Sequence, residues 1–312
     1  MTPTPGDEFA FIDWIRSQNP ETWERIPIGI GDDACGVDVS GQKLVLVTAD
    51  MLLEGTHFDL SVSSPYDVGR KAVNVNLSDV AAMGVPAVCM VVTVGLTRGR
   101  GVEFARELYR GMKEMSDRYG VPISGGDVTS WTGGLAISIT ALGLDEGLTP
   151  VRRSGARVGD VICVTGELGG SLLGRHMDFV PRLVEGVALN RHYLLHAMID
   201  ISDGLAKDLG HILEESKVGA ELDVESVPVS ADALRMSRQT GKPPIQHALG
   251  DGEDFELLFT LPPEEADRLL AAPPFPTRLT RIGRIVKGAG LVLLDAQGQP
   301  LKLDVDGYEH RL

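Results

Sequence analysis

A chain of 312 residues with 43% hydrophobic content is long enough for two domains of roughly 150 residues, each burying a core of its own. Its formal net charge of −15 excludes a protein that draws affinity from neutralising nucleic-acid phosphates or anionic lipid, so no nucleic-acid and no membrane partner is expected. Any phosphate-bearing ligand of so acidic a chain needs a cation between itself and the carboxylates.

The amino-terminal stretch "MTPTPGDEFAFIDW" lacks a basic segment followed by an apolar run, so no export signal is expected. The longest nearly uninterrupted apolar run, "VPAVCMVVTVGL", falls far short of the roughly 20 residues of a bilayer span, which predicts a soluble, cytoplasmic protein. Next comes "IGIGDDACGVDV", with Asp32 and Asp33 side by side between glycines. Such a pair is either a surface turn or a seat for a divalent cation. "KLVLVTAD" reads as a strand closing on Asp50, and "SPYDVGRKAVNVNLSDVAAMG" as a helix that stops at Gly84. Asp79 sits in that helix among small apolar residues; it belongs either to a polar face or, turned inward, to a partner.

Ala87–Leu96 has the character of a buried strand, Gly101–Gly120 of an amphipathic helix closed by Gly120, and Leu135–Leu144 of another strand. Between them "SGGDVTS" presents Asp127 after two glycines, either a turn or a close backbone approach to a ligand. The turn-rich segment "DEGLTPVRRSGARVGD" reads as a connection, which divides the chain into 1–148 and 149–312.

The second half opens with the strand "VICVTG" and a glycine-rich turn, "GELGGS", expected to lead into a helix. "SDGLAKDLGHILEES" reads as a helix whose cap is Ser202 or Asp203, and whose free N–H groups also suit a phosphate. "FELLFTL" is a strand, "PEEADRLLAA" a helix, and "GLVLLDAQGQPLKL" a terminal hairpin. Three cysteines, Cys35, Cys89 and Cys163, have no metal-ligand spacing; Cys89 and Cys163 lie in apolar runs as inert thiols. No internal repeat and no low-complexity tract occurs.

Acids therefore recur where strands and turns end: Asp33, Asp50, Asp79, Asp127, Asp200 and Asp203. A hard ion such as Mg²⁺ takes oxygen ligands and is held by carboxylates together with substrate phosphates. The chain has no G-x-x-x-x-G-K-[ST], no kinase H-R-D or D-F-G, no H-E-x-x-H and no G-x-S-x-G. If it handles ATP, it does so through carboxylate-bound metal rather than a lysine loop.

"GIGDDA", "TADMLLEGTHF", "NLSDVAAMG", "GGDVTS", "RRSGARVGD", "IDISDGLAKDLGHI", "GDGEDFELLFT" and "GYEH" follow one another in the order found in thiamine-monophosphate kinases. The chain resembles that family, part of the aminoimidazole-ribonucleotide synthetase-like ATP-binding superfamily, over nearly its whole length. The resemblance implies an α/β plus α+β fold: an amino-terminal domain that dimerises through its sheet, and a carboxy-terminal mixed domain closing over the site. It implies transfer of the ATP γ-phosphoryl group to thiamine monophosphate, aided by several Mg²⁺ ions and with room for a monovalent cation.

Carried over motif by motif, the resemblance makes Asp33, Thr48, Asp50, Asp79, Asp127, Asp200 and Asp203 metal ligands, with Asp32 a helper of the loop. It assigns Tyr109, Gly126, Asp127, Arg153 and Ser202 to ATP, and His57, Glu253 and Tyr308 to the acceptor. Asp79, Asp127 and Arg153 would stabilise charge in the reaction, with no covalent nucleophile. The chain departs from the family at Thr48-Ala49-Asp50, where Ala49 has no side-chain oxygen and leaves a water or a backbone carbonyl to take its place. Related selenophosphate synthetases carry a reactive cysteine near the amino terminus, but none precedes Cys35 here; hydrogenase-maturation relatives end in a cysteine, whereas this chain ends "GYEHRL".

Overall fold

The computed structural model describes residues 25–29, 31–40, 43–303 and 307–308. The stretch Met1–Trp14 expected to lack an export signal lies outside these residues, as do Ile30 of the aspartate loop and Glu309 and His310 of the terminal motif.

Strands β1 (Cys35–Asp38), β2 (Leu44–Leu53), β3 (Ala87–Thr97), β4 (Ile123–Trp131) and β5 (Ala136–Leu144) form one sheet in the order β1-β2-β5-β3-β4. Only β3 and β4 pair in parallel. Helices α1 (Pro65–Ala82) and α2 (Gly101–Tyr119) bury one face of it, meeting Leu46, Leu52, Ile137 and Ile139 in a common core. The other face stays open: Met51, Leu53, Val91 and Trp131 are 58%, 38%, 39% and 46% exposed. Ala87–Leu96 was expected as a buried strand; the structure corrects this, because the strand alternates between the helix-covered and the open face. Cys89 on it is accordingly half-buried, while Cys163 is buried, with its thiol pushed up to about 12 by desolvation.

The second sheet takes β6 (Val161–Thr165), β7 (Ala197–Asp200), β8 (Gly219–Asp223), β9 (Leu257–Leu261), β10 (Leu279–Val286), β11 (Gly290–Leu294) and β12 (Pro300–Leu301). Their order is β12-β11-β8-β10-β6-β9-β7, with the expected terminal hairpin at β11 and β12. Around it lie α3 (Leu183–His192), α4 (Leu205–Ser216), α5 (Ala231–Thr240), α6 (Pro244–Gly250) and α7 (Pro263–Ala271). "GELGGS" does not lead into an α-helix. Gly169 and Gly170 both take left-handed backbone, φ 86° and 70°, and only two short 3₁₀ turns follow, Ser171–Leu173 and Arg175–Met177.

Helix α1 joins the two halves. Ser64 caps it, its Oγ accepting the N–H of Asp67 at 3.1 Å, and Pro65 fits the first turn, where no N–H is needed. Val68, Val73 and Leu77 serve the first core, while Ala81 and Ala82 pack with Met198 and Phe259 of the second sheet. Covered this way, the helix also buries Lys71, Asn74, Asn76 and Ser78, and each must find a partner. Those partners build the site.

Candidate active site

One cavity of about 420 Å³ gathers residues from both sheets. Thr48 and Asp50 come from β2, Asp79 from α1, and Asp33 from the loop before β1; Asp200 closes β7 and Arg153 comes from the connection between the halves. Asp33, Asp79 and Asp200 each offer a carboxylate oxygen, and these atoms lie within 4.8 Å of one another. Asp79 is the inward-facing acid: Thr48 Oγ1 donates to its Oδ2 at 2.6 Å. Ser78, one residue before it, donates to Asp200 Oδ2 at 2.6 Å, so α1 ties β2 to β7. Asn76 Oδ1 accepts the N–H of Asp50 at 3.1 Å.

So many acids resist ionising together. Burial, then the charges of Asp50, Asp200 and Asp33, hold the Asp79 carboxyl well above its ordinary range. Burial and Asp33 raise Asp50 to about 6 and Asp200 to about 7. Arg153 Nη2 donates to Asp33 Oδ1 at 2.8 Å; burial works against its charge, but Asp33 holds it firmly protonated. Asp32 lies behind this pair, accepting the Arg153 N–H at 2.7 Å, and burial lifts its carboxyl upward. The neighbouring aspartates thus divide the work: Asp33 grips the guanidinium, Asp32 the backbone.

Ser202 and Asp203 follow β7 into the cavity, but neither caps α4 as expected. Gly204 occupies the cap position, φ 115°, and Asp208 reaches back to accept the N–H groups of Asp203 and Gly204, both at 3.1 Å. Ser202 and Asp203 line the cavity instead, Asp203 Oδ2 lying 3.5 Å from Lys207 Nζ.

At the far end lie His57, Glu253, Phe255 and Tyr308. His57 Nδ1 accepts the Leu53 N–H at 3.0 Å, which leaves the ring proton on Nε2. The loop 250–256 is shaped by left-handed residues: Gly252, Glu253 and Phe255 have φ of 74°, 53° and 50°. Its Glu253 and Phe255 N–H groups donate to Ser202 O and Ile201 O at 2.7 and 2.8 Å, and the Tyr308 N–H donates to Asp203 O at 3.0 Å. Two segments distant in sequence therefore meet on one short stretch after β7.

Tyr109, Gly126 and Asp127 come together elsewhere, lining a second, largely apolar cavity of about 410 Å³ between α2 and the β3–β4 edge. "SGGDVTS" is not a turn but the middle of edge strand β4, where a Cβ on Gly126 would meet Val92 O at 1.9 Å. The glycine serves strand pairing. Asp50, Ile139, Val92 and Gly126 form one cross-strand row, which sets Asp50 and β4 three strand spacings apart, about 14 Å. Within one chain Asp127 does not join the other acids. Lys71 lies outside every family motif quoted above, while Asn76 and Ser78 fall within "NLSDVAAMG" and Phe255 within "GDGEDFELLFT" without having been assigned a role there.

No helix among the described residues is long and apolar enough to cross a membrane. Two family models match the chain: the AIR synthase related protein, N-terminal domain, over residues 31–144, and its C-terminal domain over residues 157–295. The thiamine-monophosphate kinase of Rhodopirellula baltica is 40% identical over 310 residues, covering 97% of either chain. That of Mycobacterium tuberculosis is 35% identical, covering 93% of this chain and 88% of its own. The solved structure of AaThiL complexed with AMPPCP and TMP superposes with a TM-score of 0.83 at 31% identity, covering 99% of each. The hydrogenase maturation protein HypE in complex with ATP, 20% identical with a TM-score of 0.69, shares the fold.

Proposed function

The chain belongs to the thiamine-monophosphate kinases of the AIR synthase related family, and from that premise we propose that its acid-lined cavity is where the ATP γ-phosphoryl group passes to the phosphate of thiamine monophosphate. The products are thiamine diphosphate and ADP. The enzyme is an ATP-dependent phosphotransferase whose acceptor is itself a phosphate. In this reading residues 1–148 carry nucleotide and metal, residues 149–312 close the site, and the protein works in the cytoplasm.

The observation that carries the reading is the convergence of Asp33, Asp79 and Asp200 beside Arg153, in one cavity with His57, Glu253 and Tyr308. Both reacting groups are anions, so the barrier the protein can lower is repulsion together with the entropy of alignment. The donor set fits hard divalent cations: all oxygen, several carboxylates, and acids whose protonation is raised by burial and then by one another's charge. Asp33, Thr48, Asp50, Asp79, Asp200 and Asp203 would hold Mg²⁺, which when bound supplies positive charge to the phosphate oxygens and fixes their alignment. Arg153 adds a guanidinium that Asp33 and Asp32 hold in place from side chain and backbone. The attacking phosphate oxygen is already ionised, so no side chain need act as general base. Tyr308 offers its ring to the cationic thiazolium.

Asp127 enters through a second copy. Its β4 is an exposed edge strand, and the registers place it on the open face in a row with Thr93, Ser138 and Met51. A homodimer packed on that apolar face brings Asp127, and the nucleotide cavity with Tyr109 and Gly126, toward the acids of its neighbour.

Incubation with ATP, Mg²⁺ and thiamine monophosphate, followed by chromatography of the thiamine phosphates, tests the whole. Thiamine diphosphate should appear in step with ADP and vanish on chelation. A folded protein that binds ATP yet forms none would sink the reading.

A further inference from the structure

Lys71 is the least expected residue of the molecule. It projects from α1, has no exposed surface, and lines the cavity although no motif points to it. A lysine is almost never buried to this degree unless paired. Its Nζ has three protons and three acceptors: His57 O at 2.7 Å, Glu253 Oε1 at 2.8 Å and Glu253 Oε2 at 2.9 Å. One ammonium thus joins two segments that belong to different halves of the chain. Both carry residues assigned above to the acceptor.

The Glu253 segment needs such a tether. Glu253 and Phe255 both hold left-handed backbone, φ 53° and 50°, which costs free energy in non-glycine residues and persists only where the surroundings enforce it. What the conformation achieves is placement: Phe255 reaches the cavity wall with its ring stacked on Phe179, centroids 4.0 Å apart and planes 14° from parallel. Charge supports the same conclusion. The thiazolium of thiamine is a permanent cation, and a bare ammonium at that end would repel it. Paired with Glu253, Lys71 leaves that end close to neutral, with aromatic faces from Phe255 and Tyr308. Burial draws the Lys71 ammonium toward neutrality and Glu253 opposes it; burial and then the Lys71 charge draw the His176 imidazole below its ordinary range.

We propose that Lys71 is a positioning residue for the acceptor: by clamping the His57 and Glu253 segments together it shapes the heterocycle end of the cavity. It therefore sets affinity for thiamine monophosphate and leaves affinity for ATP alone. This rests on the function proposed above.

The test is steady-state kinetics of wild type, Lys71→Met, Glu253→Gln and the double variant, each with its thermal midpoint. Lys71→Met should raise KM for thiamine monophosphate about tenfold or more while KM for ATP moves less than about twofold. The double variant should be no worse than the worse single within about twofold, because the two act as one unit. If Lys71→Met leaves Glu253 unpaired and does not fold, the double variant removes both charges and carries the same reading. Equal changes in both KM values, a fall in kcat alone, additive effects, or a double variant that also fails to fold would each overturn the inference and make the pair a structural one. A wild type that forms no thiamine diphosphate would instead bring down the function itself, and the inference with it.

Discussion

The two ends of the main cavity handle buried charge in opposite ways. At the heterocycle end one ammonium meets one carboxylate and every ammonium proton is used, so the arrangement is complete in the chain alone. At the end assigned above to the phosphates Asp33, Asp79 and Asp200 crowd together with Asp50 near, and among the described residues the Arg153 guanidinium pairs with Asp33. Burial and then the neighbouring carboxylates raise the carboxyls there, a cost that outside positive charge would offset. On the proposed function the first end holds shape and the second would hold ions. The contrast teaches that buried charge in one cavity can be structural at one place and reactive at another, and that counting partners tells them apart.

The sharpest way to break the contrast is Asp79→Asn. The amide keeps an acceptor for Thr48 Oγ1 and removes a charge the protein resists, so the thermal midpoint should hold or rise while kcat falls on the order of 10³-fold. A near-normal rate would end the assignment of Asp79. Asp127→Ala should be comparably inactive alone, and mixing the two variants tests where Asp127 acts. In a reassorted homodimer half the dimers are mixed and one of their two sites keeps both acids, so activity should return to about a quarter of wild type. No recovery would place Asp127 in its own chain's site or outside catalysis. Met51→Lys, which sets a charge on the open apolar face, should shift sedimentation from dimer toward monomer and lower activity with it. An unchanged dimer would move the interface elsewhere.

What could be read beforehand depended on how local the signal was. Asp50, Asp79 and Asp200 stood out as acids where a strand end or an apolar helix has little use for one, Asp33 could as well have been a turn residue until the family resemblance marked it, and the fold brings all four into one cavity. Lys71 did not stand out, since "GRKAV" is an ordinary helical stretch until a loop 182 residues away supplies Glu253. Ser202 passed for a helix cap because the residue that displaces it, Asp208, lies inside the helix and reaches back a full turn. The strand β4 was hidden by Gly125-Gly126, which read as a turn, although Gly126 is what allows close pairing with Val92. Helix α3, weakly amphipathic and without a side-chain cap, offered no pattern to find. Side-chain chemistry at strand ends is written locally, whereas buried pairing is written between distant segments.

The smallest effect sharpens the contrast through pH. Asp50 and Asp200 carry carboxyls raised to about 6 and about 7, against 3.8 in an unfolded chain. Between those values the folded protein holds protons that the unfolded chain has released, so raising pH favours unfolding. This contribution to stability is whole below about pH 4, near the unfolded value, and is lost as pH climbs through 6 to 7. Metal-free protein should therefore lose thermal midpoint steadily across that window. Saturating Mg²⁺ favours the ionised carboxylates and should flatten the slope, as should Asp200→Asn, which removes one of the groups. Lys71→Met/Glu253→Gln should leave the slope as it is, because that end holds its charges paired. An identical slope with and without Mg²⁺ would mean that the acids are satisfied from within the chain, and the distinction between the two ends would not stand.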